Sequence, residues 1–271
     1  MAEETSHFDK RSSDYDQEEV HQRIVSLLVE GAELKSGFHV LDIATGTGLA
    51  ALKAAQLVGP AGKVTGIDTS SGMLEEAFKK AKRAGLRNAK FMLGDAERLI
   101  FPADSFDYIF CASALVLISN MPKALQLWSR FLKPHGGIAF DTPSRPFGIS
   151  QRVVDIAAAH GVHLAYADVA DTPEKCRSLL EKASIKTVHV ATELVNSEPM
   201  TLSKAIAFWD EHTDHPAWQN LKHASEKTRD VIHTQYIADV TAAAVNGYVP
   251  NRVALNFTYG RKPGSAARAR S

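Results

Sequence analysis

Three carboxylates and two glycines in the first half of the chain have the types and spacing to hold one ligand together. Asp42 closes the apolar run FHVLDI, Asp68 closes KVTGID, and Asp95 closes AKFMLGD. Between the first two lies the turn formed by Ala44, Thr45, Gly46, Thr47 and Gly48, followed by the alanine-rich stretch LAALKAA. Glycine admits left-handed dihedrals and close backbone approach, and the first amides of a helix point outward as donors. A turn of this kind is where a main chain meets a nucleotide-like ligand. Asp68 lies about 20 residues beyond the turn, where a carboxylate that holds ribose hydroxyls belongs.

The sign of the charge narrows the ligand. A dinucleotide would set its doubly negative pyrophosphate just beyond Asp42, and an unscreened carboxylate there repels it. S-adenosyl-L-methionine has no phosphate, and its ammonium and sulfonium groups are cationic, so the same carboxylate attracts it. Asp95 is then placed to accept from the exocyclic amine of adenine, and the Ala96 amide to donate to a ring nitrogen. GTGLAA also satisfies the lenient dinucleotide pattern. A nicotinamide-dependent oxidoreductase therefore stands as an alternative, at the cost of leaving Asp42 and Asp95 unexplained.

These residues need elements to position them. From residue 38 to 141, short β-branched runs alternate with helical stretches, the pattern of right-handed crossovers and a parallel sheet. Ser70 and Ser71 can cap the helix that carries Met73, and Gly85 can end it. In such open sheets the ligand lies beyond the carboxyl ends of the strands, here marked by Asp42, Asp68, Asp95, Ala112 and Asp141. Later, 148 to 183 reads as helical, IKTVHVATEL as a strand, 201 to 246 as helical again, and VALNFTYGRK as a last strand. The expected fold is a doubly wound, mostly parallel seven-stranded α/β sheet of Rossmann-like type, with an antiparallel last strand and a helical lid.

The stretch HFDKRSSDYD, the turn from Asp42 to Gly48, DTSSGML and GDAERLIFPADSFDYIF together resemble the class I methyltransferases. The branch is the one that includes ubiquinone and menaquinone biosynthesis enzymes and small-molecule methyltransferases of secondary metabolism. The resemblance runs from about residue 8 to 261. It implies S-adenosyl-L-methionine as cofactor, with Asp42, Ala44, Thr45, Gly46 and Gly48 in the glycine-rich motif and Asp68 and Thr69 at the ribose. It implies Met73 packed on adenine, Asp95 and Ala96 at the adenine edge, Ala112 and Leu117 completing the wall, and Phe8 and Tyr15 as an aromatic cover. Ala44 stands where the family usually has a glycine; the expectation is that this strand end needs no positive φ and that binding survives.

The domain expectation follows: 1–35 as a helical segment over the cofactor, 36–195 with 251–262 as the core, 196–250 as a lid over the acceptor, and 263–271 as a disordered tail. An amphipathic helix is expected from 17 to 33 on Val20, Ile24, Leu27 and Leu28. The expected reaction is a single in-line methyl displacement onto a small, rather apolar metabolite, oxygen or carbon favoured and nitrogen or sulfur open, which releases S-adenosylhomocysteine. A hydroxyl acceptor wants a base, and His160, His163 and His212 lie in the half of the chain assigned to the acceptor. Asp141 is placed to touch acceptor or metal. The histidine spacing fits no common zinc signature, so no metal site is assigned. Phe208, Trp209, Trp218 and Tyr236 suit either an apolar pocket or a packed core. A protein that binds the cofactor without transfer, such as a cyclase, is a second alternative.

Composition sets outer limits. Over 271 residues, 31 Lys and Arg balance 31 Asp and Glu, so no net field recruits nucleic acid or an anionic membrane. No base-flipping motif argues for a nucleic-acid substrate either. Cys111 and Cys176 read as reduced, buried thiols. No apolar run approaches the roughly 20 residues that cross a bilayer, and the first residues are too polar for a signal peptide. A cytoplasmic enzyme is expected, and a homodimer is compatible with the sequence.

Overall fold

The computed structural model describes residues 2–17, 19–165 and 170–264. Strands form where β-branched and aromatic residues run between turn formers: β1 (His39–Ile43), β2 (Lys63–Asp68), β3 (Ala89–Leu93), β4 (Phe106–Cys111), β5 (Leu132–Phe147), β6 (Lys186–Asn196), β7 (Met200–Thr201), β8 (Tyr248–Val249) and β9 (Val253–Arg261). The helices between them are α1 (Ala2–Arg11), α2 (Glu19–Glu30), α3 (Leu49–Val58), α4 (Ser71–Arg83), α5 (Met121–Phe131), α6 (Gly148–Ala159), α7 (Pro173–Lys182), α8 (Leu202–His212), α9 (Gln219–Lys222) and α10 (Glu226–Ala242). Seven strands pair in the order β3-β2-β1-β4-β5-β9-β6, and β7 pairs with β8 apart from them. Strands β1 to β5 are parallel, and β9 runs antiparallel to both β5 and β6. This is the doubly wound sheet with an antiparallel last strand that the sequence leads one to expect.

The punctuation is local chemistry. Ser70 caps α4 by accepting from the Met73 amide at 3.1 Å, and Asn120, Thr172, Thr201 and Ser225 cap α5, α7, α8 and α10 in the same way. Beyond α4, Gly85 takes a φ of +68° and Leu86 N–H returns to the Ala81 carbonyl. On one face of the sheet, Leu41, Ile43, Ile109 and Phe140 pack under α5 and α7. On the other, Val40, Phe110 and Phe257 pack under α2 and α3. The alanines of α3 (Ala50, Ala51, Ala54, Ala55) let that helix lie close to the strands that frame the glycine turn.

Two expectations change. Strand β5 does not end at Asp141, because Asp141 to Phe147 still find partners on β9, from Asp141 opposite Phe257 to Phe147 opposite Val253. The helical reading of 148 to 183 resolves into α6 and α7, parted where Gly161 takes a φ of +74°. Helix α1 lies in the stretch 1–35 expected to be helical, although its polar sequence has no apolar period. It is held by a tertiary contact, with the Asp9 carboxylate accepting from the Ser70 hydroxyl and from the Gly72 amide at the start of α4.

Helices α6, α8 and α10 build a third core of their own. Trp209, Trp218 and Tyr236 are buried there among Val153, Ile232 and Val240, so these aromatics are packing and not an open pocket. The pairing of Met200 with Val249 closes the α8 to α10 segment at its two ends. Of the tail expected at 263–271, residues 265–271 lie outside the described residues.

Candidate functional site

A cavity of about 690 Å³ opens beyond the carboxyl ends of β1, β2 and β4, a volume suited to a small organic ligand. Its lining includes Tyr15, Ala44, Gly46, Asp68, Thr69, Met73, Asp95, Ala96, Ala112 and Leu117, ten of the expected cofactor residues. Asp42, Thr45 and Gly48 stand behind that lining and shape it. Thr45 donates its hydroxyl to the Asp42 carboxylate at 2.6 Å. Gly48 N–H reaches the Thr45 carbonyl at 2.9 Å, which makes the turn tight. A Cβ on Gly48 would sit 2.9 Å from the Ala77 Cβ, so this glycine is required by the approach of α4.

Gly46 is different: with a φ of +55°, a Cβ built on it meets nothing within 4 Å and would project into open space. Its amide points at the Asp68 carboxylate, 2.8 Å away, and the Ser70 amide reaches the same carboxylate at 2.9 Å. Burial raises the Asp68 carboxyl above its usual range, while these main-chain donors pull it back. Asp42 is almost fully buried, one of its oxygens has no hydrogen-bond partner, and burial pushes it up to about 7 against the pull of the Thr45 hydroxyl. The chemistry of this donor set fits a phosphate-free ligand: the lining carries the carboxylates of Asp68, Asp95 and Glu97 and open backbone at Gly46, and its Arg98 is paired with Asp95 at 3.6 Å.

Ala44 corrects an expectation. Its φ is +53°, the left-handed region, so the position does take the backbone that a glycine would occupy more easily. Ser113, just past β4, has the same φ, and both residues line the cavity. At the end of the cavity beyond β3, Asp95 accepts from the Glu97 amide at 2.9 Å, and the Ala96 carbonyl takes the indole N–H of Trp128 at 2.8 Å.

The four catalytic candidates do not line the cavity. His160 and His163 are exposed; His160 shares a 2.9 Å hydrogen bond with Gln235, and the His163 carbonyl accepts from Asn220 at 2.7 Å. They sit beyond the end of α6, on its solvent side. His212 is half-buried, stacked on Phe208 and bonded to the Phe208 carbonyl at 2.8 Å. Asp141 is buried inside β5, where it accepts from the Ser113 amide at 2.8 Å, and burial raises it to about 7. Its place is beneath the wall, holding the Ser113 turn. Cys111 and Cys176 are free and buried, and burial pushes both thiols up.

Several residues of the site gave no signal in the sequence. Glu97 lines the cavity and gathers the Ser119 hydroxyl and the Ser119 and Asn120 amides, tying the wall to the start of α5. Asp16 binds the Thr47 hydroxyl and Lys80, which fixes the N-terminal segment to the glycine turn. Pro216, between α8 and α9, lines the cavity together with Phe8, which was expected as part of its aromatic cover. Tyr15 lines it too, its ring stacked on His21 at 4.3 Å with the Arg11 guanidinium 5.8 Å from its centroid. Among the described residues no helix is long and apolar enough to cross a membrane, and no cluster of metal ligands forms.

Known proteins agree with this architecture. The chain is 40% identical over 141 residues to the aklanonic acid methyltransferase DauC of Streptomyces sp. (strain C5), covering 51% of this chain and 64% of that one. It is 36% identical over 113 residues to a demethylmenaquinone methyltransferase of Listeria monocytogenes, covering 42% and 48%. The chain thus spans about half to two thirds of the length of the curated relatives it matches. A SAM-dependent methyltransferase from Aquifex aeolicus shares the fold, with a TM-score of 0.55 and 18% identity over 93% of this chain and 97% of that one. Residues 34–223 match the family model described as a methyltransferase domain, and with that stretch enclosing the whole glycine turn and all of the cavity lining but Phe8 and Tyr15, the chain belongs to this methyltransferase family.

Proposed function

We propose that this chain carries a methyl group from S-adenosyl-L-methionine to a small, rather apolar organic metabolite, at oxygen or carbon, and releases S-adenosylhomocysteine. The observation that supports the reading is the lining of the cavity: the carboxylates Asp68, Asp95 and Glu97 and open glycine backbone outweigh the charge of Arg98, which is itself paired with Asp95 at 3.6 Å, so the site favours a cationic ligand over a pyrophosphate. Asp68 and Thr69 would hold the ribose, Asp95 and Ala96 the adenine edge, and Met73 and Leu117 its faces. Asp42, Ala44, Thr45, Gly46 and Gly48 would shape the methionine end, with Ala112 beside it and Tyr15 above. The cofactor, when bound, supplies a methyl group on a positively charged sulfur.

What the protein adds is position and dryness. Residues 1–35 would cover the cofactor and 196–250 the acceptor, over a core of 36–195 with 251–262. Holding two reactants in line and excluding water supplies most of the acceleration in such a displacement. No imidazole, thiol or lysine lines the cavity among the described residues. The fitting acceptor is therefore one that yields its proton readily, such as an organic acid or an acidic enol, and one of the relatives is named for aklanonic acid. The histidines of the lid are left out of the chemistry. A cytoplasmic location and a homodimer complete the reading, and light scattering checks the latter.

Calorimetric titration with S-adenosyl-L-methionine and S-adenosylhomocysteine, beside NADH and NADPH, tests the cofactor directly. Micromolar binding of the first pair alone is expected. Binding of the nicotinamide nucleotides alone would overturn the proposal.

A further inference from the structure

We propose that the cover over the cavity is a pH-sensitive latch: α1 and the Pro216–Trp218 turn are held together by a cluster of imidazole and phenyl rings, and they part when the imidazoles take up protons. The cluster joins the N-terminal helix to the segment between α8 and α9. His7 of α1 meets His215 edge to face with ring centroids 5.2 Å apart, and Phe8 stands 5.2 Å from His7 and 6.2 Å from His215. His212, at the end of α8, is 6.0 Å from His215. Phe8 and Pro216 are themselves cavity wall, so separating α1 from the turn opens the cavity.

Two features make the closed state depend on neutral rings. The first is a hydrogen bond: His215 caps the turn by accepting from the Ala217 amide at its Nδ1, 3.1 Å away. A protonated imidazole carries hydrogens on both nitrogens and cannot accept, so proton uptake removes the cap. The second is an orphan: His7 is 8% exposed and its Nε2 is buried without a partner. Opening returns that nitrogen to water, and protonation makes its burial costlier still.

The surrounding charges point the same way. Burial, then His212, His7 and Arg11, push His215 down from 6.5 to about 3. Burial and then Arg11 lower His7, with Lys10 adding to them and Asp214 opposing. Asp214 is itself paired with Lys222 of α9 at 3.3 Å, and the Leu115–Leu117 segment packed beneath the turn brings only apolar side chains. Because both imidazoles are depressed when the cover is closed, the closed form binds fewer protons than the open one. It is favoured above the ordinary histidine range and loses ground as pH falls below 6.5. His215 alone predicts an opening constant about 30-fold larger at pH 5 than at pH 8.

Hydrogen–deuterium exchange of the full chain between pH 8 and pH 5 tests this, with exchange in α1 corrected for intrinsic rates and referenced to β1. Protection of α1 is expected to fall about 30-fold in the wild type and to stay level in the His7→Phe/His215→Gln double variant, whose side chains pack and accept without titrating. Should the double variant lose α1 protection already at pH 8, the single His215→Gln variant is read by the same slope. Level protection in the wild type, or an equal fall in the variant, would overturn the latch.

Discussion

Beneath the cavity, the wall is fixed by main chain and buried charge. Asp68 gathers amides from Gly46 and Ser70, Asp141 gathers that of Ser113, and Asp42 is sealed against Thr45. Above it, the cover hangs on side chains from remote parts of the sequence: Asp9 at α4, Asp16 at Thr47 and Lys80, and the rings of His7 and Phe8 at His215. The contrast assigns different work to the two regions. Rigid strand ends keep a ligand's geometry, and a peripheral helix with few buried contacts is drawn from the low-stability end of the structure, where opening is cheap. Changes in the wall should therefore register in global stability, and changes in the cover in local exchange and ligand release.

The largest effect is expected at Asp42. Burial lifts its carboxyl from 3.8 to about 7. Between those values the folded chain holds a proton that the unfolded chain has lost, so stability rises as pH falls through the window and is lowest above it. Asp42→Asn keeps an acceptor for the Thr45 hydroxyl and removes the buried charge. It should stabilise the ligand-free protein by about 4 kcal/mol at pH 8 and by little near pH 4, while weakening S-adenosyl-L-methionine binding. Thermal unfolding at the two pH values measures this; an unchanged or lower melting temperature at pH 8 would mean that the carboxylate is not under strain.

Asp9→Ala probes the cover. It removes an acceptor shared by the Ser70 hydroxyl and the Gly72 amide, about 1.5 kcal/mol for hydrogen bonds to a charged group. Since α1 adds little to the main cores, the melting temperature should barely move. Exchange in α1 and the dissociation rate of S-adenosylhomocysteine should both rise by about tenfold. A drop in global stability without faster release would place α1 in the body of the fold and erase the distinction between wall and cover.

How much of this the sequence could say divides along the same line. KVTGID is β2 with no residue added or lost, because a short run of the β-formers Val64, Thr65 and Ile67 is a local signal. The glycine turn and the strand-end carboxylates are equally local, and they do converge on the cavity. The failures are tertiary. Asp141 looked terminal because β5 changes partners there, continuing against β9 alone after Cys111 has met Phe140. Helix α1 lies in a stretch expected to be helical, but its docking through Asp9 onto Ser70 and Gly72, more than sixty positions away, has no local signal. His160 and His163 lie in the half of the chain where an acceptor belongs, and only the way α6 packs on α10 shows that they face water.

Ala44 offers the finest distinction. Its left-handed backbone costs an alanine about 1 kcal/mol relative to glycine, since the Cβ crowds the following carbonyl. Glycine gives back about 0.4 to 1 kcal/mol through the greater freedom of its unfolded chain. Ala44→Gly should thus be close to neutral, stabilising by at most about 1 kcal/mol. Its informative readout is cofactor affinity beside that melting temperature. If the turn is held in place by the Asp42, Asp68 and Thr45 hydrogen bonds, relaxing one dihedral changes neither, and affinity stays within about twofold. If affinity instead rises severalfold at unchanged stability, Ala44 holds the wall short of its best geometry, and the rigidity ascribed to the wall is a strained compromise at its first residue. Ser113→Gly, at the matching φ past β4, is the control that separates a property of this turn from one shared by both strand ends.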